Sequence, residues 1–375
     1  MLTLINLFVS SMSHASKLPA QSHRLVFQAL AADHGDCIVL SYGDQAGHYR
    51  LVVDAGAEGA AARLQSVLDA APDVVCELFV VSHVDDDHIG GVLALLEDKN
   101  LAGRFQDVWF NGRQHLEPPG SESLGFKQGI QLQEALTALG ISWNKAFDGG
   151  AVRMDDAGSP VRKVLPSGAV VTVLSPVVRD LTRLRTQWDR YLRRKAEAER
   201  QVQQKPGPAP PGLESMGGAA FDIPAMAATK TPLDGSVKNA SSIALLFEYG
   251  GKRVLLGADA HSTVLVASSQ HLDATDRTSL DVFKLPHHGS AKNVTERLMK
   301  TLSGSRYVVS TNGTHHDHPD DVAIARVVNS NPSAQLFFNY AGPASERWEQ
   351  QAGLPSRRFT VVAGQNEDGI RIELL

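Results

Sequence analysis

Cysteine is nearly missing from this 375-residue chain: Cys37 and Cys76 stand far apart in no close pair, which excludes a disulfide framework and a thiolate metal site. Both read as small buried apolar residues. No run approaches the roughly 20 apolar residues that a membrane helix needs, so no membrane association is expected. The apolar stretch 2–9 is short and the first basic residue is Lys17, so the positive region of a secretion signal is lacking and a cytoplasmic location is expected. Excess positive charge is lacking too. With 36 Lys and Arg against 41 Asp and Glu the formal net charge is -5, which excludes a protein that coats nucleic acid by bulk electrostatics and makes any such contact local. What is present is ordinary globular material, 43% hydrophobic and 21% charged, enough to bury a sizeable core.

Residues 1–23 read as a loose extension. Apolar runs at 24–30, 37–42 and 49–53 read as strands separated by glycine-containing turns, 58–68 as a helix, 78–81 as a buried strand and 89–96 as a helix whose Gly90 and Gly91 allow close backbone approach. A second round starts near Ser242. There 243–247 and 253–256 read as a hairpin turning at Gly250 and Gly251, followed by helix and strand in alternation to 335–338. Strands followed by helices, twice over, predict an α/β fold of two β-sheets packed face to face with helices outside, an αββα sandwich over 24–375.

Between the halves, 178–204 reads as one long helix with Leu181, Leu184, Trp188 and Leu192 along one face, ended by the Pro/Gly-rich run 206–212. Residues 177–237 are taken as an insertion. From Arg179 to Lys205 there are nine basic residues against four acidic ones, so this stretch carries +5 and the rest of the chain -10. Arg190, Arg193, Arg194 and Lys195 concentrate positive charge that folding does not require. They are the candidate substrate-binding residues, and the helix is a candidate surface for a protein partner or a second copy of the chain.

The densest chemistry lies at His83, Val84, Asp85, Asp86, Asp87 and His88, directly after the strand 78–81. Hard divalent ions need several oxygen or imidazole ligands from a short rigid segment, and a strand end running into a helix start supplies them. His83 and Asp85 are two apart and share a side of extended chain, while Asp87 and His88 follow at the helix start, where a second ion would be addressed. The alternative is an acidic helix-capping cluster beside a chance histidine.

This run, with Ile89, Gly90 and Gly91 after it, resembles the metallo-β-lactamase superfamily signature in the variant of competence-type (ComEC-like) hydrolase domains. Asp85 stands where the commoner form has a second histidine. Four further stretches resemble that subfamily in order: His34, Gly35 and Asp36; Asp54 closing the strand before Ala55 and Gly56; Asp259 at the end of 255–260; and 284–290, reading Lys-Leu-Pro-His-His-Gly-Ser, with His318 and Pro319 after it. The resemblance implies a dinuclear hydrolase with two divalent ions, zinc or manganese, with magnesium also open because Asp85 adds oxygen. Implied metal ligands are His83, Asp85, Asp87, His88, Asp259, His287, His288 and His318, with Asp259 bridging. Asp54, Asp36 and His34 would support them from behind. Asp87, His287 and His288 would take part in catalysis, and an ion-held hydroxide would be the nucleophile. At a strand end, alternation would send His287 and His288 to opposite sides, one to metal and one to substrate. His115, the one histidine between the signature and Asp259, is expected to lie outside the centre. The implied activity is a phosphodiesterase or nuclease. A hydrolase of small esters, lactones, amides or phosphoesters, or a partner-controlled non-catalytic component, are the alternatives.

Overall fold

The computed structural model of the protein describes residues 23–98, 104–116, 127–198, 220–314, 317–365 and 368–375. Residues 1–22 of the expected extension 1–23, the run 206–212, His315, His316 and the side chains of Leu192, Arg193, Arg194 and Lys195 lie outside the described residues. Strands run in chain order as β1 Arg24–Ala29, β2 Ile38–Asp44, β3 Gly47–Val53, β4 Val75–Val80, β5 Phe105–Trp109, β6 Val161–Val164, β7 Val170–Ser175, β8 Ala244–Tyr249, β9 Lys252–Leu256, β10 Leu280–Lys284, β11 Gly304–Val309, β12 Gln335–Phe338, β13 Thr360–Ala363 and β14 Ile370–Glu373. The helices are α1 Ala61–Asp69, α2 Asp86–Leu95, α3 Lys127–Ala138, α4 Val178–Ala198, α5 Ile223–Ala227, α6 Val237–Ala240, α7 Ser262–Ser269, α8 Ala274–Thr278, α9 Glu296–Thr301, α10 Asp321–Ser330 and α11 Pro343–Ala352.

Two sheets result, one ordered β14-β1-β2-β3-β4-β5 and the other β13-β12-β11-β10-β9-β8-β7-β6. Strand alternation builds the layers. Leu25, Phe27, Leu40 and Leu51 face inward to meet Val171, Leu245, Phe247 and Val254 of the opposite sheet. The outer faces are covered separately: Val39, Val52 and Phe79 pack under residues of α1 to α4, and Leu246, Phe283 and Leu336 under residues of α5, α7, α9, α10 and α11. This is the expected αββα sandwich. The hairpin falls where read, with Tyr249 opposite Lys252 and positive φ at Gly250 and Gly251.

Each sheet is antiparallel at one side and parallel at the other, β3-β4-β5 in the first and β9 to β13 in the second. The C-terminal ends of neighbouring parallel strands therefore open onto the same edge, where α/β folds place ligand sites. Strands β6, β7, β13 and β14 and helices α3 and α11 were not anticipated. β14 alternates buried and exposed residues and β13 half-buried and exposed ones, over only four positions each, too few for a periodic signal.

Helix α4 follows the expected stripe. Leu181, Leu184 and Trp188 are buried in the same core as Val84 and Leu132, and Asp189 takes a 2.6 Å ion pair from Arg113. Residues beyond it return to the sandwich: α5 packs on α10, and α6 packs on α4. Trp188 is fully buried, so Trp188→Ala is expected to cost about 3–5 kcal/mol of folding free energy, read from equilibrium urea unfolding. A helix resting on the surface as a spacer would lose less than about 1 kcal/mol.

Candidate metal centre

The chain leaves β4 through 81–85 and enters α2 at Asp86. Asp85 holds the N-cap position with φ -77 and ψ 145, yet its carboxylate caps no amide. The reading of this run as a helix cap therefore fails. Two close approaches fix the loop. A Cβ on Gly35 would lie 1.7 Å from the Asp87 carbonyl oxygen, and one on Gly91 would lie 2.1 Å from that of Ala55. Only glycine lets the segments carrying Asp36 and Asp54 press against α2, where Asp36 and Ala55 donate their amides to the Asp87 and His88 carbonyls.

Four imidazoles surround Asp259, which closes the turn after β9. His83 Nε2 is 3.9 Å and His287 Nε2 3.7 Å from Asp259 Oδ2, while His88 Nε2 is 3.5 Å and His288 Nε2 3.6 Å from Oδ1. Asp85 Oδ2 stands 3.5 Å from His83 Nε2. Asp87 Oδ2 stands 3.8 Å from His88 Nε2 and 3.3 Å from His288 Nε2. Each ring is anchored at its other nitrogen. His288 Nδ1 meets the Ser310 carbonyl at 2.7 Å and His287 Nδ1 meets Asn293 Oδ1 at 2.9 Å. A carbonyl oxygen only accepts, so those nitrogens carry hydrogen. His88 Nδ1 donates to Asp54 at 2.7 Å, and His83 Nδ1 to Ser82 Oγ at 3.0 Å, whose hydroxyl donates onward to Asp54 at 2.6 Å.

Neutral rings so anchored aim four Nε2 lone pairs at a carboxylate, which repels unless a cation lies between. Nε2 of His83, His88 and His288 and Oδ1 of Asp259 are buried without a hydrogen-bond partner. Unmade bonds in the interior are costly, and several converging on one point fit the coordination of a cation. Their separations of 3.3 to 3.9 Å also match donors about 2.1 Å from a shared tetrahedral ion. Among the described residues, His83, His88 and Asp259 form one compact set, and Asp87, His88 and His288 another. The residues fit divalent metal.

Without metal, protons supply the positive charge. Burial alone would lower the His88 and His288 pKa values, but Asp259 and its neighbouring carboxylates outweigh it, raising His88 well above the usual histidine range and His288 to about 10. Burial alone would raise Asp259, and the His287, His288 and His88 rings instead hold it well below the carboxylate range.

The structure separates the other expected site residues. Asp54 sits behind His88, and Asp36 pairs with buried Lys284 while its Oδ1 lies 3.4 Å from His288 Nδ1. His34 lines the cleft over the centre. His318 lines it too, its ring 5.2 Å from that of His287, but joins no converging donor set among the described residues. His115 is remote, accepting from Trp143 at 2.8 Å, with burial lowering its pKa to about 4.

The expected opposition of His287 and His288 does not hold. They occupy a turn with φ 49 and 52, not a strand end, and left-handed backbone at consecutive positions turns both rings toward Asp259. Asp54 and Ala258 are also left-handed, with φ 59 and 43. Such non-glycine residues cost about 1–3 kcal/mol each and gather where orientation matters.

Asp234, Lys238, Asn239 and Asn293 were missed. Asp234 Oδ2 lies 3.4 Å from His287 Nδ1, Asn239 and Asn293 donate to it, and Lys238 Nζ lies 2.5 Å from Asp85 Oδ1. No local motif marks 234–239, which extends across the end of the presumed insertion; only Asn293, five residues past His288, stood near a quoted motif.

No protein-family profile and no curated protein matches the chain. The solved structures that resemble it in shape include a protein named for the metallo-β-lactamase fold. That one is YhfI from Bacillus subtilis, with TM-score 0.42 and 9% identity over 94% of this chain and 100% of that one. The diiron β-hydroxylase CmlA from Streptomyces venezuelae follows at TM-score 0.39 and 11% identity, over 94% of this chain and 54% of that one. A long form RNase Z from yeast follows at 0.37 and 9%, over 85% and 41%. At these distances no substrate follows from them.

Metal uptake at neutral pH is expected to release protons, because a ring held at a pKa of about 10 is protonated there and must lose its proton to ligate. Calorimetric titration in buffers of different ionisation enthalpy checks it. The raised His288 pKa also stabilises the metal-free fold fully below about pH 6.5, and that contribution is lost as pH rises toward about 10. Denaturant unfolding of the metal-free protein should therefore show stability falling across that interval.

Proposed function

We propose that the protein is a metal-dependent hydrolase that cleaves phosphodiesters, with nucleic acid as its substrate class. The ring of unsatisfied donors around Asp259 carries this reading. His83, Asp85, His287 and Asp259 Oδ2 would hold one ion, and Asp87, His88, His288 and Asp259 Oδ1 the other. Bound there, a pair of divalent ions would lower the pKa of water and offset charge building on an attacked phosphoryl group. Two imidazoles per position favour manganese or zinc over magnesium.

The chain's own groups do the rest. Asp54 and Ser82 fix the rotation of His88 and His83, and the Ser310 carbonyl and Asn293 fix His288 and His287. His318, on the cleft wall beside His287, would hand a proton to a departing oxygen.

A cleft of about 510 Å³ over the centre and a hollow of about 500 Å³ lie side by side with Thr311 and His318 lining both, an arrangement that suits an extended chain. Exposed Lys292 lines the first, and half-buried Arg347, paired with Asp321 at 3.3 Å, the second. The motif resemblance to competence-type hydrolase domains points the same way. The acidic wall of Asp85, Asp86, Asp87 and Asp234 favours a second reading, a small uncharged ester, lactone or amide.

The test compares metal-loaded protein on single-stranded DNA, duplex DNA, RNA, a chromogenic phosphodiester and a neutral chromogenic ester. Cleavage of the phosphodiesters is expected, with Asp259→Asn lowering kcat about a thousandfold. Turnover of the neutral ester alone would overturn the substrate assignment. Helix α4 buries one face and leaves Arg190 exposed on the other. Changing Arg190, Arg193, Arg194 and Lys195 together to glutamine is expected to weaken DNA binding and flatten its salt dependence, while hydrolysis of the small phosphodiester holds within about twofold.

A further inference from the structure

The two halves of the centre are built differently. Asp87, His88, His288 and Asp259 Oδ1 come from the sandwich itself, and their ligating atoms lie 3.3 to 3.8 Å apart across each neighbouring pair. On the other side, Asp85 and His287 belong to no compact donor set among the described residues. Both are gripped by one segment, 234–239, which α4 supports by packing on α6. Asp234 holds His287 from behind, and Lys238 salt-bridges Asp85 at 2.5 Å. The Asp85 and Lys238 side chains are 27% and 34% exposed, and Asp85 lines the cleft, so the pair is open to an incoming ion.

Charge accounts for the arrangement. Asp85, Asp87 and Asp259 bring three negative charges to the centre, and one divalent ion leaves one over. The Lys238 ammonium offsets the share of that charge carried by Asp85, to which it is paired. A second divalent ion then competes for Asp85 with a resident positive charge.

We propose that the two metal positions fill in order, the Asp87, His88, His288 and Asp259 position first, and that Lys238 sets the affinity of the second by holding Asp85 as a resident cation. The inference rests on the dinuclear reading above. It makes the segment after the inserted helix the control point of the second ion, and Lys238 a positioning residue that acts through Asp85.

Calorimetric titration of the demetallated full chain with manganese alone tests it. The unaltered protein is expected to take up two ions in two separable steps. Lys238→Met should tighten the second step by roughly tenfold and leave the first in place, because a repelling charge is removed. Lys238→Arg should keep the gap, and Asp85→Asn should abolish the second step only. Thermal unfolding of each metal-free variant confirms that it is folded. Two ions binding in one indistinguishable step, or a gap that Lys238→Met does not change, would overturn the proposal and leave the dinuclear hydrolase standing. Failure to bind any manganese or zinc would overturn both.

Discussion

A fully buried carboxylate is stable only where positive charge or several hydrogen bonds reach it, and this sandwich buries Asp36, Asp54 and Asp259 within one edge. Each is answered differently. Lys284 crosses from β10 to Asp36, an ion pair that joins the two sheets. Asp54 collects the Ser82 amide, the Ser82 hydroxyl and the His88 ring. Among the described residues Asp259 is met by imidazoles, and only a cation, proton or metal, makes their Nε2 atoms attractive to it. The backbone follows from that need: left-handed Asp54, Ala258, His287 and His288 are local costs accepted to bring those rings around one carboxylate.

The rings are held from behind before any ligand arrives. Nδ1 of every histidine in the ring has a polar partner in the structure, so the Nε2 atoms have little rotational freedom left to lose. Such anchoring raises ligand basicity and fixes the tautomer. Each histidine is thus fixed through Nδ1 while its Nε2 faces Asp259.

The segment between the halves is part of this machinery. Trp188 locks α4 into the core beneath the six-stranded sheet, α4 bears on α6, and 234–239 reaches Asp85 and His287. What reads along the chain as an interruption is, in space, a brace across the side of the centre that carries Asp85, whose carboxylate Lys238 holds.

The sequence by itself determined the layers and most of the side chains that converge on Asp259. Alternating apolar positions in 24–53 and 243–256, and strand–helix alternation after 282, define sheets with one face inward and helices outside, because those patterns are local and long enough to be periodic. His83, Asp85, Asp87, His88, Asp259, His287 and His288 were legible because short segments carry them at fixed spacing. The tertiary structure decided what spacing does not encode. It bent His287 and His288 into left-handed backbone so that both rings face Asp259, left His318 on the cleft wall, and brought Asp234 and Lys238 to the centre from a stretch with no motif. It also supplied β13 and β14, whose four residues each become strands only because β12 and β1 offer an edge to pair with. The physical reason is common to all of these: a pairing between residues 150 or 250 positions apart, such as Asp85 with Lys238 or Asp36 with Lys284, leaves no periodic trace along the chain and exists only once both sheets have closed on their shared core.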